Sequence, residues 1–255
     1  MNPHTATFDE LVDAFKNRTI KASSIFELRE IKKNTAYDFI KKYHYLADAK
    51  FFSKFSFGLF LGGCLVGCAT YTNPQGISTM KGWFGLPNTD QSVLELSRLC
   101  LTPALNNTNA SSYLLSNSVK KLKPHGVRAV ITLADSSRHS GSIYQVCNFT
   151  YYGLTDKKSD FFSVNGLNPR GSTKNVEGVW LPRTRKHRYA FILDKKLKCN
   201  YTPQTRPKKT STPLDCCNGE GVVFDSRFKK TYVCPKCNDF KSLGLLDIYD
   251  LPSHV

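Results

Sequence analysis

The run from Arg128 to Asp135, RAVITLAD, is apolar almost throughout and ends on an acid. A short polar stretch follows. Then comes His139 to Gly153, HSGSIYQVCNFTYYG, in which Ile143, Tyr144, Cys147 and Phe149 recur at helix-like intervals. A buried strand, a polar loop and a helix in direct succession leave few architectures open, and they predict an α/β sheet. The loop at the end of such a strand is where α/β proteins place their ligands. Gly141 frees the backbone for close approach to one, and Asp135 and Tyr144 put an acid and a phenol near the same loop. The four spaced side chains also suit the apolar face of a core helix, and spacing alone does not choose between the two.

Charge is the second constraint. The 255 residues hold 36 Lys plus Arg against 20 Asp plus Glu, a net charge of +16. Such a field attracts polyanions, and nucleic acid is the expected partner. The basic residues are clustered: Arg183, Arg185, Lys186, His187 and Arg188 form the densest run, and Lys208 and Lys209 lie further on. No stretch of about 18 apolar residues occurs, so no membrane span is expected. Nine cysteines without a secretory leader fit a reducing cytoplasm better than a disulfide framework.

The remaining pattern predicts a helix over Phe8 to Arg18, a strand over Ser24 to Ile31, and a helix capped by Asn34 and running to about Leu46. Gly62-Gly63 between apolar runs signals a hairpin over Phe55 to Tyr71. Thr72 to Asp90 reads as a loop, Val93 to Leu101 as a strand, Asn109 to Leu122 as a helix and Tyr189 to Leu193 as a late strand. The order β-α-β-β-β-α-β-α-β predicts a mixed sheet. Residues 1–199 are expected to form this α/β domain, 200–213 a basic, proline-containing linker, and 214–255 a small cysteine-rich module.

In that module Cys216-Cys217 and Cys234-Pro235-Lys236-Cys237 bracket two strand-like runs, Val222 to Phe224 and Thr231 to Val233. The second pair has zinc-knuckle spacing, and the whole predicts a zinc ribbon with those four cysteines as ligands, or with one of Cys216 and Cys217 joined by Cys199 or a histidine. Four thiolates leave no open position, so the zinc would be structural. Cys64, Cys68, Cys100 and Cys147 sit in apolar contexts and are expected in the core.

The element order is similar to the GNAT N-acetyltransferase fold, a mixed sheet with a splayed central cleft. A closer resemblance is to the Mom family of bacteriophage DNA-modification proteins. It is carried by Tyr43-His44-Tyr45, by Glu95 to Leu99 with its central Arg98, by Asn109 to Ser112, by Ala134-Asp135 with His139 to Gln145 and Asn148-Phe149, and by Lys186 to Tyr189. The resemblance spans roughly residues 30 to 195. It implies transfer of a carbamoylmethyl-type or acyl group to the exocyclic amine of adenine in double-stranded DNA, which shields phage DNA from host restriction.

An adenine amine is a weak nucleophile, so a base and a hydrogen-bond donor must stand close to it. On this resemblance His44 and Asp135 are candidate bases, and Tyr45 and Tyr144 are candidate donors. Arg98, Ser111, Ser112, His139 and Gly141 are candidates to hold the group donor. Acyl-CoA-binding relatives carry a glycine-rich loop after the arginine-bearing strand. Here Thr102 to Ser112 contains no glycine, so the donor is open between acetyl-CoA and another activated glycine or acyl compound. Phe149, Tyr151, Trp83 and Phe84 are candidates to stack on a flipped base. Two other readings remain open from sequence: a GNAT enzyme acting on a protein or small-molecule amine, and a DNA-binding protein with no activity.

Overall fold

The computed structural model describes residues 6–44, 51–76, 79–136, 139–163, 166–167, 178–182, 184–207, 222–225 and 230–233. Tyr45, Arg183, Lys208, Lys209 and the four candidate zinc ligands Cys216, Cys217, Cys234 and Cys237 lie outside them.

Helix α1, Phe8–Lys16, is started by a capping box in which Thr7 and Glu10 satisfy each other's backbone N–H groups. Its buried face, Leu11, Val12, Ala14 and Phe15, meets Phe26 edge-on at 4.9 Å. The region expected as one strand from Ser24 begins as a helical turn, α2 (Ala22–Ile25), because the Ser24 hydroxyl donates back to the Lys21 carbonyl at 2.7 Å. Strand β1, Phe26–Glu30, follows. Helix α3 covers Lys33–Tyr43, with Lys32 and not Asn34 at the cap position, and ends at His44, where the backbone turns extended.

Strands β2 (Phe55–Leu61) and β3 (Cys64–Thr72) form the expected hairpin. Gly62 and Gly63 both take positive φ, 55° and 82°, as a two-residue turn of matching twist requires. Cys64, beside this turn, is exposed and not in the core, whereas Cys68, Cys100 and Cys147 are buried. The expected loop at 72–90 contains helix α4, Thr79–Phe84, which buries Met80, Trp83 and Phe84. Strand β4 is Val93–Leu101, α5 Ala110–Leu122, β5 Ala129–Asp135 and α6 Ser142–Val146. Then come β6 (Thr150–Leu154), β7 (Ser159–Ser163), β8 (Gly166–Leu167), β9 (Gly178–Pro182), β10 (Lys186–Ile192), β11 (Val222–Asp225) and β12 (Lys230–Val233).

Seven strands make the main sheet in the order β1-β2-β3-β4-β5-β10-β6, with antiparallel pairs from β1 to β4 and a parallel β4–β5 pair. Helices α3 and α5 cover its two faces. The pleat shows which residues face which helix: Cys68 packs with Phe39 and Ile40 of α3, while a side chain at its neighbour Gly67 would meet Leu114 of α5.

The chain divides into two compact units. The first comprises Met1–Leu133, Ser142–Gly153 and Arg188–Arg206, and the second Ala134–Gly141, Leu154–His187 and Pro207–Val255. The first holds a core cluster of Met80, Trp83, Phe84, Val93, Ala129, Ile131, Tyr152, Ala190 and Leu197. The start of the expected linker is tied to this unit. Asn200 N–H donates to the Trp83 carbonyl at 2.8 Å, and Gln204 N–H to the Tyr151 carbonyl at 2.9 Å. The second unit contains a three-stranded sheet, β8-β7-β9, and the antiparallel β11–β12 hairpin, whose strands fall where the sequence pattern placed them. No helix among the described residues is long and apolar enough to cross a membrane.

Candidate active site

Strands β4 and β5 run side by side only at their start. Val93, Leu94 and Glu95 pair with Ala129, Val130 and Ile131, and there the ladder stops. The cause is visible on the other edge of β4. Thr70 pairs with Arg98 but Tyr71 pairs with Leu96, so Ser97 is an extra residue. Such a bulge bends its strand, and the two parallel strands open beyond it. Each feeds a helix, α5 after β4 and α6 after β5. The gap therefore lies at the carboxyl ends of diverging parallel strands, a standard position for ligands in α/β sheets.

Arg98 lies immediately after the bulge, half-buried, on the α3 face of the sheet, since Cys100 two residues on packs against α3. Its guanidinium stands 5.5 Å from the Phe51 ring centroid and donates to the Ser97 carbonyl at 2.8 Å. Phe51 packs on the same α3 cluster as Tyr43, and His44 ends that helix. Arg98 and His44 thus belong to one face. The sequence reading missed Thr70. Its hydroxyl is fully buried opposite Arg98 and has no hydrogen-bond partner among the described residues. A threonine in a strand gives no signal by itself; only the register places it there. Leaving such a group unsatisfied is costly, and a polar ligand atom would relieve it.

Ser111 and Ser112 stand in the first turn of α5, which the Asn109 side chain leaves uncapped. The Ser112 hydroxyl donates to the Asn109 carbonyl at 2.8 Å, and the Cys147 thiol contacts the Ser112 carbonyl at 3.6 Å, tying α6 to the start of α5. Because α5 and α3 lie on opposite faces, the serines and Arg98 approach the opening from different sides.

Tyr144 is 9 % exposed and sits in an aromatic cluster, 5.4 Å from Tyr189 and 5.8 Å from Phe149. Burial pushes the Tyr189 hydroxyl up to about 12, and it accepts from Gln145 at 2.9 Å. Helix α6 ends after one turn. Asn148 takes a left-handed φ of 62°, and Phe149 N–H bonds back to the Tyr144 carbonyl at 2.9 Å, closing the helix C-terminus. The four expected stacking residues are all core. Trp83 and Phe84 are buried on α4, Tyr151 is buried beside Tyr189, and Phe149 is buried beside Tyr144 and Phe191.

In the second unit the Asp135 carbonyl accepts the His139 N–H at 3.0 Å, and Gly141 takes a φ of 74°. Arg185 Nε donates to the Thr155 carbonyl at 2.6 Å. His187, read in the sequence as part of a cationic run, is buried. Burial, aided by the positive charges of His139 and Arg185 and opposed by Asp135, lowers its pKa to about 4. It is therefore uncharged at neutral pH and offers no cation to phosphate. The unfolded chain protonates this histidine near pH 6.5. Folding is thus progressively disfavoured as pH falls from 6.5 towards 4, and the loss levels off below that. His187→Gln is expected to flatten this part of the stability–pH curve in urea unfolding. Equal slopes in both proteins would refute the burial effect.

No group of His, Cys, Asp and Glu among the described residues could hold a metal ion.

Among known proteins, the model of the Mom protein family matches residues 25–210. No curated protein sequence matches the chain. Solved structures similar to it include the ribosomal-protein-S18-alanine N-acetyltransferase from Escherichia coli, at 12% identity and a TM-score of 0.42, covering 67% of this chain and 95% of that one. A GNAT family acetyltransferase from Elizabethkingia anophelis with acetyl-CoA bound is 16% identical, with a TM-score of 0.42, covering 66% of this chain and 98% of that one. An N-acetyltransferase from Staphylococcus aureus is 15% identical, with a TM-score of 0.41, covering 66% and 99%. With its family model running from β1 past β10, through both diverging strands and the helices they feed, this chain belongs to the Mom protein family.

Proposed function

We propose that the protein is a transferase that places a carbamoylmethyl-type or acyl group on the exocyclic N6 amine of adenine in double-stranded DNA. The observation that carries this reading is the opening between β4 and β5, with Arg98 and His44 on one face, inside the segment that matches the Mom family. The group donor would lie in the opening, its anionic part at the first turn of α5 beside Ser111 and Ser112. Arg98 would hold a carbonyl or anionic oxygen near the reacting carbon, with the Thr70 hydroxyl beside it. The adenine nitrogen bonds to the transferred carbon as the donor's bond to its leaving group breaks. His44 takes the proton that the amine loses, and the Tyr144 hydroxyl donates towards the leaving group. No flanking glycine loop supports the donor's phosphates, so the donor stays open between acetyl-CoA and another activated acyl or glycine compound.

Asp135, His139 and Gly141 are proposed as ligand contacts of the second unit, with Arg185 and Lys186 of that unit, and Arg188 of the first, as phosphate contacts. Arg183, Lys208 and Lys209 extend that basic run in sequence. Structural zinc on Cys216, Cys217, Cys234 and Cys237 is supported by the β11–β12 hairpin between the two cysteine pairs.

The test is nucleoside mass spectrometry of plasmid DNA from cells expressing the protein. A new deoxyadenosine derivative is expected, absent or sharply reduced with His44→Ala and Tyr144→Phe. Unmodified DNA from cells with soluble, DNA-binding protein would replace this reading with binding alone. Metal analysis of the same preparation is expected to find about one zinc per chain, and a metal-free folded chain would discard the ribbon.

A further inference from the structure

We infer that the segment from Lys195 to Arg206 is an ordered cationic strap that grips the DNA backbone along the β6 edge of the main sheet. Its sequence, KKLKCNYTPQTR, holds four cations and no acid. Lys195, Lys196, Lys198 and Arg206 are all exposed, and none enters an ion pair among the described residues. The flanking acid, Asp194, is bonded to Arg128 at 3.0 Å. The strap therefore presents its charge to solvent without a neutralising partner.

The segment is tied down at successive points. Leu197 is buried in the Trp83 cluster. The Asn200 side-chain amide donates to the Lys81 carbonyl at 3.1 Å, next to its backbone bond to Trp83. Tyr201 packs edge-on against Trp83, and the Arg188 guanidinium stands 4.4 Å from its ring centroid. At Gln204 the strap bonds to β6, the last strand of the sheet, and so covers an unpaired edge. Gly153 makes room for it. A Cβ there would stand 2.5 Å from the Gln204 amide oxygen, and its φ of 80° suits glycine. Ala190 packs with Trp83, so its β10 neighbour Tyr189 faces the other side of the sheet. Burial raises the Tyr189 hydroxyl and the Arg206 charge opposes this, which places the end of the strap near that hydroxyl. The strap thus runs from the α4 face round the edge towards the Tyr189 face.

The chemistry selects a phosphate backbone. Cations spaced along an extended segment match a row of phosphates, and a segment already fixed in place loses less entropy on binding than a free linker would. The one aromatic ring of the strap, Tyr201, is engaged by Trp83 and Arg188 and is not free to stack on a base. Contacts of this kind position the duplex and do not read its sequence. The strap is also distinct from the opening between β4 and β5. In the order β5-β10-β6 the edge it covers lies two strand spacings, about 10 Å, beyond β5. Tyr189 stands 5.4 Å from Tyr144, so a backbone held at Arg206 passes beside the proposed leaving-group donor. The inference rests on the reading of DNA as substrate.

The experiment is an anisotropy titration of a short DNA duplex with the full chain, from about 50 to about 200 mM salt. The combined Lys195→Ala, Lys196→Ala, Lys198→Ala, Arg206→Ala variant is expected to reduce the slope of log affinity against log salt by about 3. Lys120→Ala, Lys121→Ala, Lys123→Ala, which removes exposed cations at the far end of α5, is expected to keep the wild-type slope. Gly153→Ala keeps every charge but displaces Gln204, and is expected to weaken duplex binding with little change of slope. In the modification assay the strap variant should raise the KM for DNA and leave kcat unchanged. A strap variant with the wild-type slope, or an equal loss in the α5 variant, overturns the strap and leaves the substrate reading standing. A lower kcat at unchanged KM would make these residues part of the reaction and overturn the grip. Tighter binding of single-stranded RNA, with the same losses, would give the strap to RNA and overturn the inference. A wild-type protein that binds no duplex overturns both the strap and the substrate reading.

Discussion

Arg98→Ala is expected to lower the yield of modified adenine by about 100-fold or more, with the chain still folded. A correctly placed donor to a developing negative charge is typically worth about 10²–10³ in rate, and Arg98 is placed by several constraints at once. The bulge at Ser97 sets its direction, the Thr70 pairing fixes its register, and the Phe51 ring lies within cation–π range of its guanidinium. Arg98→Lys is expected to fall nearly as far, because an ammonium group cannot reproduce the planar fork of donors. Arg98 is half-buried at the end of a cleft and not in the apolar core, so the melting temperature should move by only a few degrees. The comparison is product yield by nucleoside mass spectrometry set against thermal unfolding. A wild-type yield from the alanine variant would remove Arg98 from the site, and a collapse of the fold would make it a structural residue.

Trp83→Ala is expected to cost about 3–5 kcal/mol of stability, the usual range for deleting a large buried aromatic. Against a typical total of about 5–15 kcal/mol this is a large fraction. Trp83 is 4 % exposed and meets Tyr152 and Tyr201 edge-on at 5.6 and 5.1 Å. Its carbonyl also accepts the Asn200 N–H, so the helix and the segment after β10 are held together here. Urea unfolding of the variant should show a midpoint far below wild type. If Trp83 were instead a wedge for DNA, the variant would keep its stability and lose only DNA-dependent activity, and that outcome would reverse the assignment.

The two residues mark the limit of what a linear pattern carries. Trp83-Phe84 in a glycine- and proline-rich stretch looks like an exposed insert. Yet Met80, Trp83 and Phe84 have the i, i+3, i+4 spacing of one helical face, and that short signal was outweighed by its surroundings. The expected helix after Gly141 lasts only five residues because Asn148 adopts a left-handed φ, which leaves Phe149 to lead into β6. Strands β6 to β9 were not anticipated at all. Their pairings are contacts made at a distance, and short runs such as Thr150–Leu154 alternate too briefly to be read alone.

By itself the sequence determined the hairpin at Gly62-Gly63, the strands at Val93–Leu101 and Ala129–Asp135, the helix between them, and the residues that mark the Mom family. These are local properties, set by turn chemistry and by apolar periodicity within one segment. Tertiary structure alone decided that Arg98 shares a face with His44 and stands opposite Thr70, that Ser111 and Ser112 come from the other face, and that His187 is buried and neutral. Which face a strand residue takes depends on the register of its neighbours and on bulges such as that at Ser97. Whether a histidine is charged depends on how much water the fold leaves around it. Neither quantity exists until the strands have paired and the core has closed.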